Sequence, residues 1–380
     1  MARLSSKIKD FFILALLNST KIKNIQHFDS NDSKKIHEIA TFGRLEYFVL
    51  EAAKSNKDIL TEKYFNQLRL VSKKRDEISL KNFIFGSKLK KAFDHKKINF
   101  TFLKGMFLNN AYPNNLSCRP MTDIDILVSQ ENLKKSVEIL NELGFYNDFS
   151  SQSVYDQVLE TKYFLPVFHN SSGVIIDLHF RATMPNDFKE CPLTNLLLND
   201  KNHEAELHIL YLIYSSAIKD SLSGGPMIFR DLKLIVENED IDFKFLETVA
   251  KNMKIKKILF AYLRCLNEFF EVDKLKIKNL DSHNNNEDFL LLNLFNKSDG
   301  LASRTIREGF ITSFFNALNK DSIAHHQKVK SSTIGITQSL GRLCYLINKY
   351  SLTFLRSLFD YQKIRDQYAV HKALVKLKDD

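Results

Sequence analysis

The spacing of hydrophobic positions changes twice along the chain and divides it into helical and strand-forming parts. Near the start, apolar residues follow the i, i+3, i+4, i+7, i+8 pattern of a packed helix, at Ile8, Phe11, Phe12, Ala15 and Leu16. From residue 98 to about residue 185 the apolar runs are short and strand-like, with one clear helix among them. Helical spacing then returns. The pattern predicts helices, a small α/β unit, and helices again.

Four regions follow from these changes in spacing. Residues 1–95 form an N-terminal helical region, 96–190 the α/β unit, 191–280 a helical domain, and 289–380 a basic C-terminal helical region. Between the last two lies a polar segment, 281–288, whose three consecutive Asn residues are typical of a linker. The predicted fold class is α+β, with a small mixed sheet flanked by N-terminal and C-terminal helical regions.

Two strands of the α/β unit are predicted to form a β-hairpin. The strand-like runs at 162–168 and 174–180 are joined by a loop that contains Gly173. Pro166 lacks an amide hydrogen to donate to a neighbouring strand, so the first run is expected at an edge of the sheet.

A further strand and two helices are predicted around this hairpin. In the run 98–103 alternate residues are apolar, as in a half-buried strand, and the following segment 106–112 has the pattern of a helix. Another helix is predicted over 131–143, and Gly144 lies where helices commonly end in a left-handed residue.

Two carboxylates in one apolar run are the most informative chemical feature. Asp123 and Asp125 alternate within segment 122–128, so in a strand both side chains would lie on the same face. Like charges this close oppose each other's ionisation, and a divalent cation bound by both carboxylates removes the conflict. Asp177 lies in a similar apolar run. The three aspartates are predicted metal ligands. A solvated pair at a strand end is the alternative for the first two, and a hydrogen-bonded carboxylate on an edge strand is the alternative for Asp177.

Composition and charge narrow the class of protein. With 44% hydrophobic and 26% charged residues, the 380-residue chain has the composition of a globular protein. Its net charge of +10 favours anionic partners, namely nucleotides, nucleic acid or anionic lipid. Segment 320–380 contributes to this excess, with 11 Lys or Arg against five Asp. Within it, the stretch 343–359 mixes apolar residues with Lys349 and Arg356, and is predicted to rest on anionic lipid or nucleic acid or to pack as a helix on the neighbouring domain.

The expected location is the cytoplasm. The four cysteines are scattered without a CxxC spacing, which suits a reducing compartment. No apolar run reaches the roughly 20 residues that a transmembrane helix requires. We therefore expect a cytoplasmic protein without a transmembrane segment.

Several short motifs together resemble a known family. They resemble the nucleotidyltransferase sheet unit, or palm, of the DNA polymerase β-like superfamily, and are most similar to a bacterial family of uncharacterised nucleotidyltransferases. The resemblance is specific over about 98–182 and looser through the flanking helices. Its motifs are Leu103-Lys104-Gly105, Tyr112-Pro113, the run from Arg119 to Val128, Leu143-Gly144-Phe145, Ile176-Asp177-Leu178-His179 and, among the later helices, Phe229-Arg230-Asp231-Leu232.

The resemblance implies an activity and its metal ions. A nucleoside monophosphate would pass from an NTP to an acceptor that the sequence does not identify, with two Mg²⁺ ions at the reacting phosphate. Asp123 and Asp125 would bind or bridge both ions. Asp177 would hold the ion nearer the attacking hydroxyl and accept its proton.

The same resemblance implies substrate-binding residues. Lys104, Gly105 and Arg119 would contact the phosphates. His179 is expected beside Asp177, either as a partner of the carboxylates or in the substrate pocket, and a core histidine is the alternative. The alternative for Lys104 is a solvated charge at the end of a strand. The alternative for Arg119 is a structural ion pair.

One departure from the wider superfamily motivates a different function. Many members carry Gly-Ser after the first strand, whereas here Gly105 is followed by Met106, which offers no hydroxyl for a phosphate. The alternative is a non-catalytic protein that keeps the palm and binds nucleic acid or a protein partner.

Overall fold

Four short strands form one mixed sheet in the described part of the chain. They are β1 (Phe100–Phe102), β2 (Ile124–Val128), β3 (Phe168–His169) and β4 (Ile175–His179), in the spatial order β1-β2-β4-β3. β2 pairs antiparallel with β1 and parallel with β4, while β3 and β4 form an antiparallel hairpin. Every residue of the central strand β2 is buried, which explains its nearly continuous apolar sequence.

The computed structural model describes ten stretches of the chain. They are 6–16, 25, 27–56, 59–113, 119–147, 158–159, 162–184, 192–219, 225–270 and 272. The predicted linker 281–288 and the basic region 289–380 lie outside the described residues.

Helices precede and follow the sheet, and the predicted α+β fold class is confirmed. A 3₁₀ turn at Gln130–Asn132 precedes one helix, and a π-helical segment at Ser215–Lys219 follows another. The α-helices are α1 (Ser6–Leu16), α2 (Ser30–Gly43), α3 (Glu46–Ser55), α4 (Glu62–His95), α5 (Lys104–Ala111), α6 (Leu133–Glu142), α7 (Leu193–Asn199), α8 (Glu204–Tyr214), α9 (Met227–Asn238), α10 (Phe243–Asn252) and α11 (Lys256–Phe270).

The predicted helix near the start of the chain is confirmed as α1. All five apolar residues of its predicted stripe are buried. α1 contacts α3 and α11, so this stripe joins the first and last described helices of the chain.

α4 fixes the backbone just before β2. The Ser79 hydroxyl accepts a hydrogen bond from the Met121 amide at 2.7 Å, and Asn82 donates one to the Met121 carbonyl at 3.1 Å. Both polar side chains are buried, so these bonds pair groups that are withdrawn from water. The N-terminal helices therefore contact the sheet unit directly, while the division into 1–95 and 96–190 stays a prediction.

The β-hairpin is confirmed with a shorter first strand than predicted. β3 has two residues and lies at the edge of the sheet, as Pro166 indicates. Before the proline, an isolated bridge joins Phe164 to His179. Pro166 interrupts the pairing because it has no amide hydrogen. In the connecting loop, Gly173 has a φ of +76°.

The structure shifts the start of two predicted elements. β2 begins at Ile124, so Thr122 and Asp123 lie in a bend before it rather than within the strand. α5 begins at Lys104, so Gly105 lies inside the first helical turn instead of ahead of the helix.

The helices after the sheet enclose an apolar interior. All residues of α8 from Glu206 to Tyr214 are buried, as its continuous apolar sequence predicts. Among the described residues, none of the helices combines the length and the hydropathy required to span a bilayer.

Candidate functional site

The parallel pairing of β2 and β4 brings two carboxylates side by side. Asp125 lies opposite Asp177 in the register, and Leu127 lies opposite His179. Because side chains alternate along a strand, Asp177 and His179 share one face of β4, the face on which Asp125 lies. One potential ligand atom from each of Asp125, Asp177 and His179 lies within 4.8 Å of the other two.

Asp125 is the buried centre of this group. Its Oδ1 atom is 2.7 Å from Lys104 Nζ and 3.0 Å from His179 Nε2. Burial alone would raise the pKa of the Asp125 carboxyl, but Lys104, the His179 hydrogen bond and Lys219 outweigh it and hold that pKa well below its usual range. Asp125 is therefore ionised.

Lys104 reaches Asp125 from an unusual backbone position. It is the first residue of α5 and has a φ of 48°, a left-handed conformation that is uncommon for residues with a side chain. The Leu103 amide donates to the Asp125 carbonyl at 2.9 Å, which fixes the end of β1 beside β2. This local strain is offset by the buried ion pair and is typical of functional sites.

Asp177 differs from Asp125 in its surroundings. It is half-buried, and it accepts no hydrogen bond from the described residues. Burial and the negative charges of Asp125 and Asp123 raise its pKa to about 6, while Lys104 and Lys219 oppose the rise. A carboxylate held next to a second carboxylate fits a cation ligand.

His179 is fully buried and hydrogen-bonded to the ionised Asp125. Burial lowers its pKa to about 4, so the imidazole is neutral at pH 7. Because a carboxylate only accepts, we assign the proton to Nε2, which leaves Nδ1 unprotonated. Nδ1 has no hydrogen-bond partner among the described residues. Of the alternatives that the sequence left open for His179, the hydrogen bond to Asp125 corresponds to the one in which His179 is a partner of a carboxylate.

Asp123 lies near this group but is not one of its three members. It is partly exposed in the bend before β2, and Thr122 donates a hydrogen bond to it at 3.2 Å. Its charge contributes to the raised pKa of Asp177, which places it within electrostatic range of the site. Its predicted role as a metal ligand stays a prediction.

The donor set fits a divalent cation without identifying it. Carboxylate oxygens suit Mg²⁺ or Mn²⁺, and an imidazole nitrogen also suits transition metals. Asp125 and Asp177 supply two carboxylates on one face of the sheet, and Asp123 is a further carboxylate within electrostatic range of Asp177. The described residues can therefore hold a metal ion here.

Arg119 forms the structural ion pair that the sequence left as its alternative. Its Nε atom is 2.7 Å from Asp231 Oδ1 on α9, and its Nη1 donates to the Pro120 carbonyl at 2.9 Å. Asp231 is buried, and burial raises its pKa against the opposing charge of Arg119. The pair joins the sheet unit to the helices that follow it.

Gly105 is required by a close contact. A Cβ atom on Gly105 would lie 2.8 Å from Met121 Cγ and 3.8 Å from Arg119 Nη1. Met121 packs into the space that a side chain would fill. The predicted approach of a phosphate at this glycine remains a prediction beside this packing role.

Two cations of the site were missed by sequence reasoning. Lys219 lies 4.9 Å from the centre of the Tyr163 ring, and its charge lowers the pKa of both Asp125 and Asp177. Arg44 follows α2, and its charge interacts with those of Asp123 and Asp125. Neither residue belongs to a recognisable motif, and only the folded chain brings them near the aspartates.

The chain matches one family model over most of the described residues. The model is that of an uncharacterised nucleotidyltransferase family and matches residues 29–271, which is more than half of the chain. The match extends beyond the sheet to α2, α3 and α4, and to the helices after β4. No curated protein and no solved structure matches the chain significantly.

Proposed function

Since the chain belongs to this family of uncharacterised nucleotidyltransferases, we propose that it transfers a nucleoside monophosphate from an NTP to an acceptor in a Mg²⁺-dependent reaction. The observation that carries the proposal is the pair of carboxylates, Asp125 and Asp177, opposite each other on parallel strands. An apolar sheet gains nothing from two adjacent negative charges unless a cation or a proton lies between them.

The metal ligands of this proposal are Asp125 and Asp177, with Asp123 as the third carboxylate. When bound, Mg²⁺ would neutralise developing charge on the phosphates and orient them for in-line displacement. We propose two ions, as the family resemblance implies. His179 holds Asp125 by a hydrogen bond and so orients this ligand.

Asp177 is suited to take the proton of the attacking hydroxyl. Without metal its pKa is raised to about 6, so it is mostly ionised at pH 7. A metal ion on the aspartates would cancel the repulsion that raises this pKa, so the proposed role as base rests on the position of Asp177 beside the metal site. Lys104 and Lys219 bring two positive charges within electrostatic range of Asp177, where they would stabilise negative charge on the transferring phosphate.

The departure at Met106 has a packing explanation. Met106 is 1% exposed, and a Cβ atom on Gly86 of α4 would collide with its side-chain end. Met106 therefore fills a space between α4 and α5, and its presence does not by itself favour the non-catalytic alternative. That alternative predicts weak or Mg²⁺-independent NTP binding.

Calorimetric titration of the four NTPs tests the proposal, with and without Mg²⁺. Wild type should bind one or more NTPs only with Mg²⁺, and Asp177→Asn should lose at least tenfold in affinity. Asp94→Asn is the matched control because Asp94 is exposed on α4 and pairs with Lys90. Wild type that binds no NTP, or binds equally well without Mg²⁺, would contradict the enzyme and favour the non-catalytic alternative.

The acceptor and the location belong to the same proposal. A small molecule, a sugar derivative, a protein side chain and an RNA end are all compatible with the site. We propose a cytoplasmic location from the scattered cysteines, and an anionic contact for the basic region 289–380 from its charge pattern.

A further inference from the structure

We propose that Arg44 binds the triphosphate of the nucleotide, as a phosphate ligand supplied by the N-terminal helices. The inference rests on the proposed function and adds a substrate-binding residue to it. It is carried by the position of Arg44 in a fixed turn, by the close ion pairs of Arg75 and Arg119, and by the absence of such a pair at Arg44 among the described residues.

The backbone at Arg44 is held in a left-handed conformation. Arg44 follows the last residue of α2, with φ 59° and ψ 38°, and its amide donates to the Ala40 carbonyl. The preceding Gly43 is packed closely, since a Cβ atom there would lie 3.3 Å from Pro226 Cδ. Arginine is rarely found in this conformation, and such positions persist where the surrounding structure imposes them.

A second arginine clamps the turn from α4. Arg75 Nη2 donates to the Thr41 carbonyl at 2.6 Å, and Arg75 Nη1 lies 2.6 Å from Glu46 Oε1. Thr41 and Glu46 flank Arg44 in the sequence, so one guanidinium ties both sides of the turn. Burial raises the pKa of Glu46 to about 7 against the opposing charge of Arg75, which shows how far the clamp is withdrawn from water.

Arg44 itself makes no ion pair or hydrogen bond through its guanidinium with the described residues. Arg75 is bound to Glu46, and Arg119 is bound to Asp231, so two arginines near Arg44 have close partners. Burial and the charges of Arg119 and Arg75 lower the pKa of Arg44, while Asp123 and Asp125 oppose this. A cation in this setting is costly unless an anion approaches it.

The anion that best fits this position is a polyphosphate. Arg44 is within electrostatic range of Asp123 and Asp125, yet not within ion-pair distance of either. A metal ion on those aspartates would cancel their attraction for Arg44 and leave a net positive surface between the metal site and the turn. A triphosphate bridges such sites, because its oxygens can bind a metal at one end and accept from a guanidinium fork at the other.

The test measures binding of inorganic tripolyphosphate and of the NTPs to the full chain in Mg²⁺. Arg44→Gln should weaken both about tenfold to a hundredfold, the usual loss for a charge-assisted hydrogen bond. Arg44→Lys keeps the positive charge but lacks the forked donors of a guanidinium. Its affinities should lie between those of wild type and Arg44→Gln. Arg69→Gln removes one positive charge from an exposed position on α4 and should leave both affinities unchanged.

Thermal unfolding without ligand separates a binding role from a structural one. Arg44→Gln should keep or raise the Tm, because it removes a desolvated charge that Arg75 and Arg119 repel. Unchanged affinity in Arg44→Gln, or a Tm loss that accounts for weakened binding, would overturn the assignment and leave the proposed function standing. Wild type that binds no NTP would overturn the proposed function and this assignment with it.

Discussion

The two paired aspartates hold the same type of charge in opposite settings. Asp125 accepts from two close donors, Lys104 and His179. Asp177 faces two negative charges and accepts no hydrogen bond from the described residues. The register that makes them neighbours therefore gives one an ion pair and leaves the other repelled. A bound cation would remove the repulsion at Asp177.

Neutralising the two aspartates should change stability in opposite directions. Asp125→Asn should lower the free energy of unfolding by about 3 kcal/mol, because it leaves the Lys104 ammonium without its buried partner. Asp177→Asn should raise it by on the order of 1 kcal/mol without metal, since it removes the repulsion from Asp125 and Asp123. Denaturant unfolding in EDTA measures both values.

The exposed pair at Asp94 calibrates this comparison. Asp94→Asn should change stability by about 0.5 kcal/mol or less, as is usual for an exposed ion pair. A loss of stability in Asp177→Asn comparable to that in Asp125→Asn would contradict the asymmetry. Added Mg²⁺ should stabilise wild type and not Asp177→Asn.

At the scale of elements, the contact of α4 with α5 depends on a missing side chain. Gly→Ala within a helix usually stabilises by about 1 kcal/mol. Gly86→Ala should instead destabilise, since its methyl group meets the buried Met106. In a Met106→Ala background, Gly86→Ala should raise the free energy of unfolding, as it usually does within a helix. A double-mutant cycle by denaturant unfolding measures this reversal, and the same sign in both backgrounds would argue against the contact.

The contact of α5 with α8 makes stability depend on pH. His208 is fully buried, stacks on Phe107 with ring centres 3.4 Å apart, and has no hydrogen-bond partner for either ring nitrogen among the described residues. Burial lowers its pKa from 6.5 to about 3. Between these values the unfolded chain binds a proton that the folded chain does not. Stability from this group is therefore complete above pH 6.5 and is lost as the pH falls.

His208→Phe should remove this pH dependence while keeping an aromatic ring against Phe107. The difference in the free energy of unfolding between wild type and His208→Phe should change by roughly 1.4 kcal/mol for each pH unit between 6.5 and 4.5. Urea unfolding at several pH values measures this slope. His203→Gln is an opposite-sign control, since the hydrogen bond that His203 Nδ1 donates to the Asp200 carboxylate raises the pKa of His203. Parallel pH profiles for wild type and His208→Phe would contradict the assignment.

At the scale of the whole molecule, the sequence predicted what short segments determine. Alternation and apolar runs predicted β2, β4 and the hairpin, and the motifs contain Asp125, Asp177 and Lys104, which the structure brings together. The register of β2 against β4 was not predictable, because it is set by packing of both faces. Arg44 and Lys219 were missed for a similar reason: each lies far along the chain from the aspartates, and only tertiary contacts make it part of the site.

These tertiary contacts predict which parts of the chain the sheet requires. Ser79 and Asn82 of α4 pair the Met121 backbone, so a chain shortened to residues 96–297 should fail to fold. A chain of residues 1–297, which keeps all described residues, should show the wild-type Tm and NTP affinity. Circular dichroism measures folding and the Tm of both shortened chains, and calorimetry measures NTP affinity. Cooperative folding of 96–297 would mean that the sheet unit does not require the contacts of Ser79 and Asn82 with the Met121 backbone.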